Sequence, residues 1–77
     1  MNPQKFSDPK DIQIHDTLML TYNALKEKGY NPQTQIKLYI LTEDKSYITN
    51  YNNARKAMLE LDREDIIKHL LNYYLEN

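Results

Sequence analysis

The only glycine of the chain, Gly29, stands in the stretch Gly29-Tyr30-Asn31-Pro32, beside the only proline found beyond residue 9. Residues 10–28 and 33–77 contain neither helix breaker. A chain punctuated once in this way reads as helices with one sharp stop and one restart. Glycine takes the left-handed position after a helix C-terminus without a Cβ clash. Asparagine is a favoured N-cap, and proline is pre-set for the first helical turn, where its missing N–H is no loss. The stretch therefore ends one helix at Gly29 and starts another at Pro32.

The helices themselves follow from apolar spacing. A first helix is expected to begin between Asp8 and Asp16, where acidic residues suit the positive end of the helix dipole, and to run to Lys28. Ile14, Leu18, Thr21, Tyr22 and Leu25 stripe one of its faces. A second helix, Pro32 to about Thr42, carries Ile36, Leu38, Tyr39, Ile40 and Leu41, which do not fit on one face. A helix apolar nearly all round has to be covered from more than one side, by the domain itself or by a second copy. Leu38, Tyr39 and Leu41 are the candidate dimer interface. A strand is the competing reading of Ile36 to Leu41, and the upstream cap and proline favour helix. After a polar link, Glu43 to Ser46, a third helix is expected from Thr49 or Asn50 to Leu61, with Tyr51, Ala54, Met58 and Leu61 inward. Asp62 caps a last helix whose stripe is Ile66, Ile67, Leu70, Leu71, Tyr74 and Leu75. The fold class is all-α, a compact homodimeric bundle of four or five short helices. Residues 1–10, with two prolines and one large apolar side chain, read as a mobile tail, and 11–77 as a single helical domain.

Length limits how such a bundle holds together. A chain of 77 residues encloses one core at most. A core of that size supplies roughly 3–5 kcal/mol by itself, and without cysteine there is no disulfide to add to it. Self-association is the remaining common aid. Ten Lys plus Arg against eleven Asp plus Glu give a net charge of -1, so nothing marks a surface for phosphate backbones. No apolar run spans a bilayer and residues 1–10 lack a signal-peptide core, so no membrane partner is expected and a cytoplasmic location is.

Chemistry is sparse. His15 and His69 are not in a metal-binding spacing. Asp62, Glu64 and Asp65 stand where helix starts favour carboxylates, so capping is preferred to acid–base work. One glycine does not build a phosphate loop. No catalytic residue, cofactor or metal is expected. Tyr51 to Met58, with Arg55 and Lys56, would suit a nucleic-acid groove on a helix, but with the charge balanced an ordinary solvated face is the better reading.

The blocks from Leu25 to Ile36, then Tyr39-Ile40-Leu41 and Ser46-Tyr47-Ile48, then Ala54 to Met58, and finally Leu61 to Leu75 resemble, in order and spacing, the IreB/ReoM family of small regulatory phosphoproteins of low-GC Gram-positive bacteria. The resemblance implies an all-helical, non-enzymatic, cytosolic homodimer. It implies a substrate of a membrane Ser/Thr kinase with extracellular PASTA domains, acting on cell-wall precursor synthesis. In the ReoM branch this runs through Clp-dependent degradation of the UDP-N-acetylglucosamine enolpyruvyl transferase. This chain departs from the family at Glu43-Asp44-Lys45, where a Gly-Asp-Pro turn is usual, at Thr49-Asn50-Tyr51, and at Leu59, where arginine is common. It also lacks a tail threonine, which leaves Ser7 as the candidate phosphorylation site. Arg55, Arg63, Glu64, Asn31 and Gln35 are the candidate partner-binding residues. Arg63 lies in a first helical turn, where a cation opposes the dipole, and an ion pair with Glu60 or Glu64 is its plainer explanation. The alternative function is a small helix-turn-helix nucleic-acid binder made of the second and third helices.

Overall fold

The computed structural model describes residues 8–76. The tail expected over residues 1–10 lies outside the described residues as far as residue 7. Pro9 and Lys10 already belong to the first helix.

Among the described residues there are four α-helices, and three of them start at side-chain caps that the sequence spells out. Helix α1, Pro9–Glu27, is capped by Asp8, whose Oδ1 accepts from the Lys10 N–H at 2.9 Å. It ends in a Schellman turn: the Gly29 N–H donates to Lys26 O at 3.0 Å and the Tyr30 N–H to Leu25 O at 2.9 Å, with Gly29 at φ 88°. Helix α2, Pro32–Thr42, is capped by Asn31 Oδ1, which accepts from the Thr34 N–H at 3.1 Å. Its end is Glu43, left-handed at φ 61°.

A 3₁₀ turn, Lys45–Tyr47, follows, then a second, Tyr51–Asn53, leading into α3, Ala54–Leu59. The continuous third helix expected from Thr49 or Asn50 to Leu61 is thus interrupted. Asn52 and Asn53 have φ of 56° and 62°, a left-handed pair that a continuous α-helix does not accommodate. Helix α4, Arg63–Glu76, begins after Asp62, whose Oδ1 accepts from the Glu64 N–H at 3.0 Å.

The core joins all four helices: Ile14, Ala24 and Leu25 from α1, Tyr39 from α2, Ala54 and Met58 from α3, Ile66 from α4, and Ile48 from the segment between the two 3₁₀ turns. Leu18, Ile36, Ile40, Tyr47, Tyr51 and Leu61 pack around it. Ile14, Leu18, Thr21 and Leu25 of the α1 stripe are thereby buried or packed on the core, as are Tyr51, Ala54, Met58 and Leu61, while Tyr22 lines an open face instead. The α4 stripe stays mostly outside the core. Ile66 is buried, but Ile67, Leu70, Leu71, Tyr74 and Leu75 are exposed, the last two at 84% and 70%, and the other buried α4 side chain is His69. Among the described residues only Ile66 of the α4 stripe enters the small core, and the apolar residues beyond it stay exposed. Among the described residues no helix is long and apolar enough to cross a membrane.

Gly29 tests the turn on which α1 and α2 pivot. An added Cβ there would meet no atom within 4 Å, so the cost of a side chain is conformational alone. Gly29→Val is expected to lower stability by about 1–2 kcal/mol, read as a lower thermal midpoint. An unchanged midpoint would remove the left-handed cap from the account of the fold.

Candidate protein-interaction site

Three of the polar residues singled out in the sequence donate hydrogen bonds into the fold, each to a main-chain carbonyl that no helix satisfies locally. Gln35 Nε2 reaches Tyr47 O at 3.1 Å from α2, and Arg55 Nε reaches Ile48 O at 2.9 Å from α3. Arg63 NH1 reaches Ile40 O, in the last turn of α2, at 2.8 Å, while its Nε lies 3.1 Å from Glu43 Oε2. The ion-pair partner of Arg63 is therefore Glu43, not Glu60 or Glu64. A guanidinium at the carbonyl end of α2 meets a favourable dipole there, which offsets its poor position at the start of α4. Asn31 is engaged as the α2 cap, and Glu64 is exposed in the first turn of α4. Ser7 lies outside the described residues.

Of the dimer candidates, Tyr39 is buried in the core of its own chain, Leu38 is half-buried, and Leu41 is 67% exposed. Burial pushes the Tyr39 phenol above its ordinary pKa, with the Glu43 carboxylate acting in the same direction. Leu41 instead stands on the rim of an open apolar groove of about 740 Å³, lined by Leu18, Met19 and Tyr22 of α1, Ile36, Ile40 and Leu41 of α2, and Leu70 of α4. Spacing did not reveal this groove, because its walls come from three helices whose relative placement is a tertiary matter. Its one sequence signal was the surplus of apolar residues on α2 and α4.

The first half of α4 is held to α1 by polar contacts. His69 Nδ1 lies 3.2 Å from Asp11 Oδ1, and Lys10 Nζ lies 2.9 Å from Asp65 Oδ2. The hydrogen bond to Asp65 raises the pKa of the Lys10 ammonium. On the other side of the bundle the Tyr51 hydroxyl donates to Glu27 Oε2 at 2.9 Å, which raises the pKa of the phenol, and the Lys28 ammonium sits 5.1 Å from the Tyr51 ring centroid. Among the described residues no group of three His, Asp or Glu side chains could hold a metal ion. The helix-turn-helix alternative meets a geometric obstacle: Glu43–Asn53 separates α2 from α3, far more than the short turn of that motif, and α3 has six residues.

Among the described residues, an apolar groove, an exposed apolar helix face and polar side chains spent on holding main chain describe a small all-helical domain. The comparisons narrow this. The model of the IreB regulatory phosphoprotein family matches residues 2–76. A UPF0297 protein of Lachnoclostridium phytofermentans is 42% identical, covering 99% of this chain and 89% of the relative. Another from Ruminiclostridium cellulolyticum is 44% identical, covering 95% and 83%. The chain belongs to the IreB regulatory phosphoprotein family.

The carbonyl contacts carry a stability prediction. Removing the Arg63 side chain leaves Ile40 O without its charged donor, and hydrogen bonds to charged groups contribute about 1.5–3 kcal/mol. The Glu43 pair is exposed and adds less than about 1 kcal/mol. Arg63→Ala is expected to lower stability by about 1.5–3 kcal/mol in denaturant melts. A change within the scatter of surface substitutions would return Arg63 to the role of a free surface cation.

Proposed function

We propose that this chain is a non-enzymatic cytosolic regulator that works as a homodimer in Ser/Thr-kinase-linked control of peptidoglycan precursor synthesis, through Clp-dependent proteolysis of the enolpyruvyl transferase. The observation that carries the reading is the family match across residues 2–76. A regulatory phosphoprotein needs a kinase, and the kinase-facing position proposed here is Ser7. Phosphate adds about -1.5 to -2 charges, enough to redirect contacts made by a segment placed just ahead of the Asp8 cap. Arg55 and Arg63, with Asn31, Gln35 and Glu64, remain the proposed partner-facing side. The hydrogen bonds of Arg55, Arg63 and Gln35 to main-chain carbonyls support the shape of that side.

Self-association is supported by the groove and by the far half of α4, which lie on the same molecule. One copy's Leu71, Tyr74 and Leu75 suit an apolar groove on another, and two such exchanges close a two-fold dimer. Exposed apolar surface of this extent on a small protein normally marks an interface. Leu41 and Leu70 lie at the edge of that contact, whereas Tyr39 is buried in the core of its own chain.

Sedimentation at micromolar concentration is expected to give about twice the 9.2 kDa mass of the chain. Leu41→Glu together with Leu70→Glu places carboxylates in the apolar contact and is expected to return the monomer with helicity intact. A wild-type monomer would end the dimer reading.

Reaction with the cognate kinase followed by peptide mapping is expected to label Ser7. Label on Thr17 or Thr21, both buried in α1, would contradict the assignment, and absence of label would remove the kinase from this chain's regulation.

A further inference from the structure

Helix α4 is attached unevenly to the rest of the chain. Its base is fixed twice, by Ile66, fully buried in the core, and by Arg63, which donates to Ile40 O. From Leu70 to Glu76 every residue is exposed. Between base and exposed end stands His69, buried between the exposed Lys68 and Leu70, with 5% of its side chain accessible.

His69 Nδ1 lies 3.2 Å from Asp11 Oδ1 on α1. A carboxylate only accepts, so the imidazole donates at Nδ1. The His15 ring, one turn after Asp11, stands 6.5 Å from the His69 ring, and Asp8, Lys10, Asp65, Lys68 and Asn72 line a polar cavity of about 290 Å³ around the contact. The second polar tie, Lys10 to Asp65, joins side chains 64% and 35% exposed, and a pair so open to water contributes little. The weight of the attachment to α1 therefore falls on His69. A hydrogen bond is directional where apolar contact is not, so it also fixes the rotation of α4 about its own axis. That rotation matters one residue on. Leu70 brings α4 into the wall of the apolar groove, whose other described lining residues belong to α1 and α2.

We propose that the Asp11–His69 contact is a latch that holds the outer half of α4 against α1, which makes these two side chains positioning residues for self-association. With the latch closed, Leu70 stands in the groove wall and Leu71, Tyr74 and Leu75 are presented at a fixed angle. With it open, α4 hinges beyond Ile66, and the groove and the face that fills it both lose their geometry. The inference rests on the dimer reading above and names what controls that contact.

Amide hydrogen exchange of the full chain, followed by NMR, tests the latch. It is read in the Leu41→Glu, Leu70→Glu background, where self-association does not itself protect α4. Asp11→Ala is expected to speed exchange at residues 70–74 about tenfold, as is His69→Phe, which keeps a buried ring and removes Nδ1, while the α1 amides of residues 17–25 keep their protection. Asp11→Asn, whose Oδ1 still accepts from the ring, is expected to retain most of the protection. The two losses combined are expected to match either one alone, because the same contact is removed. In the otherwise wild-type chain, each of the two is expected to raise the dimer dissociation constant about tenfold in sedimentation equilibrium. Unchanged exchange at residues 70–74 in either variant, additive effects on combination, or loss of protection spread evenly over α1 and α4 would each overturn the latch. Faster α4 exchange with an unchanged dimer constant would overturn its role in self-association. A wild type that sediments as a monomer would instead sink the dimer reading itself, with the exchange arm still deciding the latch.

Discussion

The fold depends on one internal plug. Ile48 is fully buried although it lies in no helix, and burying an irregular segment also buries main-chain carbonyls that need donors. Gln35 and Arg55 supply them, to Tyr47 O and Ile48 O, from the helices on either side. Without those donors the desolvated carbonyls would cost about 1–3 kcal/mol each, a large share of what a core this small provides. Arg63 does the same for the end of α2, where Glu43 holds an unfavourable left-handed turn. Polar side chains thus tie the segment between α2 and α3 to both neighbours, and the apolar core closes over it.

Because that segment occupies the centre, α4 has little core left to join. Ile66 enters it, His69 and Asp65 bind polar groups on α1, and beyond them the helix turns an apolar face outward. The helix is thus divided into a half anchored to α1 and a half whose apolar side chains stay exposed. The apolar groove beside Leu70 and that exposed face both arise from the same shortage of core. Limited buried area restricts the chain's own stability and, by the same shortage, leaves apolar side chains of α4 exposed.

Much of the architecture was legible because helix ends are written locally. The Schellman turn at Gly29, the Asn31 and Asp62 caps and the α1 stripe need only a few neighbouring residues, and spacing alone located them. The third helix was overextended because asparagine is an ambiguous signal: it is weakly helical, a good cap and a tolerated left-handed residue, and nothing local chooses among these at Asn52 and Asn53. The candidate site was legible only as a set of residues. Gln35, Arg55 and Arg63 stood out, but their targets are the carbonyls of Tyr47, Ile48 and Ile40, and side-chain-to-carbonyl contacts across 7 to 23 residues leave no periodic trace.

By itself the sequence determined that this chain is helical, where α1 stops and α2 starts, and which family it resembles, because breakers, caps and motif spacing are local and linear. Only the tertiary structure decided that Ile48 is the plug, that Tyr39 belongs to the chain's own core, and that most of the α4 stripe faces outward. Those outcomes depend on how much volume one small core can enclose. Apolar spacing states which side chains seek burial; packing decides which of them the available volume admits.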